Sequence, residues 1–200
     1  MKDTKEFILE TAYTLFMQSG YNAVTMNDIV KQTGLSKGAF YHYFGSKEQL
    51  FEEVVSHVFF GDFSRDYVNM PPMSLKEFLE TELDMVKVRH HTLLDALRTE
   101  DKRLDINYYT LIFDAFRILP EFKKRFEQYK SDRLDTWIRV IAGARKSGEI
   151  NSDMPDGDLA RIFVYLNQGV GMSFIMGNNL RQKYREIGQL WGHLYDMLKA

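Results

Sequence analysis

Gly34-Leu35-Ser36-Lys37-Gly38-Ala39-Phe40-Tyr41-His42-Tyr43-Phe44 is the stretch on which the fold of this 200-residue chain turns. A glycine at 34 can take the left-handed conformation that ends a helix and bends the chain, and Ser36 is placed to cap the helix that follows. On a helical wheel Phe40 and Phe44 share one side, while Gly38 and His42 lie roughly opposite and Lys37, Ala39 and Tyr41 flank the outer side. The aromatic pair is expected in a core. The other side offers a cation, a phenol, an imidazole and a patch of bare backbone, a set that suits a DNA major groove. There Gly38 permits close approach, Lys37 donates to guanine edges or phosphate, and Tyr41 and His42 donate to phosphate oxygens.

Upstream, Phe7, Ile8, Ala12, Leu15 and Phe16 recur at helical spacing and Gly20 stops the pattern. Thr25 then precedes Met26, Ile29 and Val30, with Asp28 three residues on, the capping-box arrangement for a short second helix. Downstream, Ser46 and Gln49 repeat that arrangement with Lys47 in the first turn, where free amides and a lysine together suit a phosphate. Taken singly, a Ser-Lys helix start is an ordinary cap and an aromatic cluster is ordinary core. Their fixed order over about fifty residues is what points to a helix-turn-helix.

Phe7 through Gly20, Thr25, Ile29, Gly34 to Gly38, Phe40, Tyr41, Tyr43, Phe44, Lys47 and Leu50 together resemble the DNA-binding domain of the tetracycline-repressor (TetR) family of bacterial transcription regulators. The resemblance covers a quarter of the chain. It implies an all-α protein with a three-helix DNA-binding head over residues 1–46, and a helical-bundle body over 47–200 that binds a ligand and forms a homodimer. Family-type phosphate contacts fall by position on Thr25, Tyr41, Tyr43 and Lys47, and base contacts on Ser36, Lys37, Gly38, Ala39 and His42.

Composition narrows the remaining classes. With 44% hydrophobic and 27% charged residues the chain is of ordinary globular type. It has no cysteine, which removes disulfides, thiolate zinc sites and cysteine nucleophiles. A net charge of -2 and a pI near 6.2 argue against a protein that coats nucleic acid unselectively. A small DNA surface built from oriented amides and a few cations stays open. Neither a signal-peptide run nor an apolar stretch of roughly 20 residues is found, so the expected place is the cytoplasm, without a membrane partner.

The rest of the sequence reads as helices. Phe51 to Phe59 continues the helix begun at Ser46, Pro71-Pro72 marks an irregular turn, and Ser74 with Glu77 opens a long helix toward Leu97. Pro120 restarts the chain after a helix through Phe116, and Gly148 closes the next one. The last two helices, on Leu159 to Ile175 and Leu180 to Leu198, are apolar over wide faces, and Gly169 and Gly171 stand inside the first. Mid-helix glycines cost roughly 1 kcal/mol each against alanine, which a close helix approach could offset, within the subunit or across a two-fold dimer interface. The dimer reading assigns Phe163, Leu166, Gly169, Val170, Phe174, Ile187, Leu190, Trp191 and Leu194 to that interface. By the same resemblance the middle helices hold a pocket for a largely apolar small molecule, with His57, Phe60, Met85, His90, Tyr109, Phe113, Phe116 and Trp137 as candidate lining.

The expected function is that of a ligand-responsive transcription regulator, a repressor that binds a palindromic operator as a homodimer and is released by an effector. The alternative is a helical adaptor that keeps the head but binds no operator. No constellation for an enzyme is found: no glutamate stands three residues before a histidine as a di-iron bundle needs, and neither a phosphate loop nor a nucleophile elbow is present. No cofactor or metal is expected. Effector identity, operator sequence and the sign of regulation are not encoded in any motif.

Overall fold

Capping chemistry decides where the helices begin. The computed structural model describes residues 3–60, 67–97, 103–177 and 183–200, and the side chains within them except at 88–97, 103–108, 174–177 and 183. Among the described residues the chain is all-α, with nine helices: α1 (Thr4–Ser19), α2 (Met26–Thr33), α3 (Lys37–Tyr43), α4 (Lys47–Phe60), α5 (Leu75–Leu97), α6 (Arg103–Ile118), α7 (Pro120–Ser147), α8 (Asp156–Gly177) and α9 (Lys183–Leu198). Before α2 the Thr25 hydroxyl accepts from the Asp28 amide at 3.2 Å, and the Asp28 carboxylate accepts from the Thr25 amide at 2.8 Å. Gly34 follows α2 with φ of 70°, in the left-handed region that a glycine enters without strain. Ser36 then accepts from the Ala39 amide at 3.2 Å, and Ser74 and Glu77 close a box before α5. At α4 the box is displaced by one residue: Ser46 accepts from the Gln49 amide, but the Gln49 side chain reaches back to the Gly45 amide at 3.0 Å.

Packing divides the chain into two compact units, Met1–Ser64 with Leu93–Phe126, and Arg65–Thr92 with Glu127–Ala200. In the first, α1 packs on α2, α4 and α6. Its core joins Ile8, Ala12 and Phe16 of α1 to Phe40 and Phe44, to Leu50, Phe51 and Val54 of α4, and to Leu111 and Ala115 of α6. Phe16, Phe40, Phe44 and Phe51 are fully buried, and each such side chain contributes about 1.5–3 kcal/mol of transfer free energy. The helices of the head thus share one core with α6 and the start of α7. The boundaries of these units do not coincide with the division expected at residue 46.

The second unit is built around Trp137 of α7. Its indole stacks on Phe163 of α8 at 5.1 Å and meets Phe78 of α5 and Trp191 of α9 edge-on at 4.7 and 5.5 Å. Offset and edge-on aromatic pairs add about 0.5–1.5 kcal/mol each beyond their burial. Two polar ties join distant segments here. The Glu149 carboxylate accepts from the Leu75 and Lys76 amides at 2.9 Å each and from the Tyr195 hydroxyl at 3.1 Å, so a residue beyond the end of α7 satisfies the start of α5. Glu82 of α5, only 2% exposed, pairs with Arg133 of α7 and accepts from Tyr67 at 2.8 Å.

Candidate nucleic-acid interface

The buried side of α3 fixes its exposed side. Phe40 and Phe44 are fully buried, as the wheel requires, and Lys37, Gly38, Ala39 and His42 are exposed. Tyr41 is 43% exposed and stands edge-on to Phe40 at 5.6 Å, so its hydroxyl end projects outward from a ring that the core supports. Tyr43 is half-buried, edge-on to His42 at 5.5 Å. A side chain at Gly38 would meet nothing within 4 Å, so this glycine answers no packing demand inside the subunit. If the bare backbone serves a groove, Gly38→Ala should raise the unfolding free energy by about 0.5–1 kcal/mol through helix propensity while weakening DNA binding. Melting curves and binding titrations that moved in the same direction would remove the groove explanation.

Two helix starts flank α3. Thr25 is exposed, but its hydroxyl already donates to Asp28 at 2.6 Å and its amide is engaged in the same box. The Thr25 hydroxyl, more than its amide, holds the Asp28 carboxyl below its ordinary value. A phosphate arriving at this end would therefore meet the first-turn amides that a helix start leaves without intrahelical partners. Ser36 is likewise exposed and serves as the cap of α3. Lys47 opens α4 half-buried, with its ammonium over the face of Tyr21 at 4.1 Å. Helical periodicity does not single out Tyr21, and its place directly after the helix-ending Gly20 is the one sequence signal it carries.

The residues expected at an effector site do not gather in one unit. His57 lines a cleft between α1 and α4 of about 400 Å³, together with Lys5, Glu6, Leu9, Glu53 and Ser56. Phe60 carries the Arg125 guanidinium over its ring at 4.3 Å, Phe116 packs on Phe122 and Phe126, Tyr109 is half-buried and Phe113 is 60% exposed. All five belong to the first unit. Met85 is half-buried in the second, and Trp137 is fully enclosed in that unit's core. The side chain of His90 lies outside the described residues.

Of the residues expected at a dimer interface, Phe163, Ile187 and Trp191 have 0–1% exposure and Val170 has 8%, and the Trp191 indole donates to the Phe163 carbonyl at 3.0 Å. These side chains are enclosed by their own subunit. On helices apolar over wide faces, periodicity does not say which face a subunit keeps for itself. Leu166, Leu190 and Leu194 are half-buried, Gly169 is exposed with nothing within 4 Å of an added Cβ, and the Phe174 side chain lies outside the described residues. Tyr165 and Met172 of α8, not assigned from sequence, are 57% and 46% exposed.

The profile of the family described as bacterial regulatory proteins, tetR family, matches residues 8–54. The HTH-type transcriptional regulator YuxN of Bacillus subtilis is 43% identical over 65 residues, which make up 32% of this chain and 22% of that protein. A longer match is to the HTH-type transcriptional regulator QacR of Staphylococcus aureus, 28% identical over 148 residues and 72% of each chain. Among solved structures, a TetR transcription regulator from Haloarcula marismortui superposes with a TM-score of 0.63 over 98% of both chains at 17% identity, a likeness of fold. No helix among the described residues is long and apolar enough to cross a membrane.

Proposed function

Because the chain belongs, through residues 8–54, to the tetR family of bacterial regulatory proteins, which are transcription regulators and not enzymes, we propose that it acts in the cytoplasm as a ligand-released repressor. In this reading residues 1–46 bind DNA and 47–200 form the regulatory body. A homodimer places two copies of α3 in successive major grooves of a palindromic operator, about 34 Å apart. The observation that carries the proposal is the exposed face of α3, where Lys37, Gly38, Ala39, Tyr41 and His42 all stand outward on an aromatic core and two capped helix starts lie beside them.

Release requires that a small, largely apolar effector bind one body geometry better than another, since a ligand without differential affinity shifts nothing. The shared core of α1, α4 and α6 supports such coupling, because a displacement of α6 is felt by the surface on which α1 and α4 rest. Candidate effector contacts are His57, Phe60, Tyr109, Phe113 and Phe116 of the first unit.

Selection from random duplex DNA at moderate salt is the test. The native protein should enrich a palindrome, and the triple substitution Lys37→Ala, Tyr41→Ala, Lys47→Ala should abolish that enrichment while leaving helicity and oligomeric mass unchanged. Loss of the Lys47 phosphate contact should also flatten the dependence of affinity on salt by about one per head. Enrichment of no palindrome by the native protein would favour the adaptor reading instead.

A further inference from the structure

Lys47 carries the phosphate contact on a four-carbon stem, a flexible point charge with Glu48 as its immediate neighbour. The structure places a third group against both. The face of Tyr21 lies 4.1 Å from the Lys47 ammonium, and the Tyr21 hydroxyl donates to Glu48 Oε1 at 3.3 Å. The ring itself is fixed: Tyr21 is 6% exposed and is wedged against Phe16 and Phe51 at 5.7 and 4.3 Å. One immobile side chain therefore touches the cation with its π face and the rival carboxylate with its hydroxyl.

The charges nearby make such an arrangement consequential. Partial burial pushes the Lys47 ammonium below the ordinary lysine value, while Glu48 of its own helix, Asp114 of α6 and Asp28 of α2 act in the opposite sense. No ion pair holds Lys47 among the described residues. Burial first, and Glu48 second, push the Tyr21 phenol up to about 12, so it stays a donor at neutral pH. A lysine that feels the charge of three carboxylates would lose its use to DNA by pairing with one of them.

We propose that Tyr21 is a positioning residue for the phosphate contact of Lys47, holding the ammonium on its ring face while its hydroxyl keeps the Glu48 carboxylate from closing on that cation. The proposal rests on the reading of Lys47 as a DNA contact. A purely structural Tyr21 would behave differently: its loss would harm folding, and its effect on DNA would not depend on which residue stands at 47.

A double-mutant cycle separates the two, read by fluorescence anisotropy on the palindrome enriched by the native protein, across a salt series. Lys47→Ala should lower the salt slope by about one per subunit. Tyr21→Leu should weaken binding about three- to fivefold when Lys47 is present and leave the affinity of the Lys47→Ala protein unchanged. Tyr21→Phe keeps the ring in the core and remains informative if Tyr21→Leu fails to fold. It should cost about twofold, and Glu48→Gln should strengthen binding more in the Tyr21→Phe background than in the native one. Equal losses from Tyr21→Leu with and without Lys47, or equal gains from Glu48→Gln in both backgrounds, would overturn the proposal. If the native protein binds no duplex even at low salt, the regulatory reading itself falls. If native binding is intact and only the couplings are missing, the positioning role alone is lost.

Discussion

Replacing Tyr165 and Met172 together by arginine is expected to leave the subunit folded and to weaken operator binding by about a hundredfold or more. Both side chains are largely exposed on α8, at 57% and 46%. With Gly169 between them they fall on one face of the helix, at positions separated by four and three residues. Surface substitutions of this kind change stability by about 0.5 kcal/mol or less. The same face behaves differently if it forms a two-fold interface, where each new charge is introduced twice and is buried near its symmetry mate. Separated heads then bind half-sites singly, and the gain from linking two binding events, typically between a hundredfold and ten-thousandfold, disappears. Sedimentation equilibrium should report 23.5 kDa for the variant and twice that for the native chain. A variant that sediments at the native mass and binds the palindrome as the native protein does would remove this face from the interface.

The interface expectation also shows where sequence reasoning stops. Thr25 with Asp28, Gly34, Ser36 and the Phe40–Phe44 pair were legible because each acts within about four residues, where helix geometry alone brings the partners together. The burial of Trp137 was not legible as a choice between ligand contact and core, since a large aromatic side chain suits both. Phe163 and Trp191 posed the same ambiguity on helices that are apolar on more than one face, and only their packing on Trp137 assigns them inward. Glu149 is separated by 74 residues from Leu75, whose amide it caps, and no periodic pattern joins such positions. Tyr21 belongs to the same class, because its partner Glu48 is 27 residues away and meets it only when α4 folds back on α1.

Arg133→Met should destabilise the protein by about 3–5 kcal/mol, the largest single-residue loss expected in the second unit. Glu82 is 2% exposed, and both its oxygens are engaged: Arg133 donates to Oε2 from Nε and Nη2 at 3.1 and 2.7 Å, and Tyr67 donates to Oε1 at 2.8 Å. Burial first and Glu82 second push the Tyr67 phenol well above its ordinary value, so it remains a donor throughout the neutral range. Removing the guanidinium leaves a carboxylate with one neutral donor in a medium that solvates it poorly, and that uncompensated charge accounts for the cost. For a chain of this size a loss of 1 kcal/mol lowers the melting temperature by about 2–4 °C, so a drop of roughly 6–20 °C is expected. The triple substitution Glu82→Leu, Arg133→Met, Tyr67→Phe removes the charge, its partner and the otherwise orphaned hydroxyl together, and should recover most of that loss. Recovery would identify the cluster as a device that fixes the segment at Tyr67 against α5 and α7 rather than as a net source of stability. A drop below 1 kcal/mol for Arg133→Met alone would mean that water reaches Glu82, and would refute the buried ion pair as described.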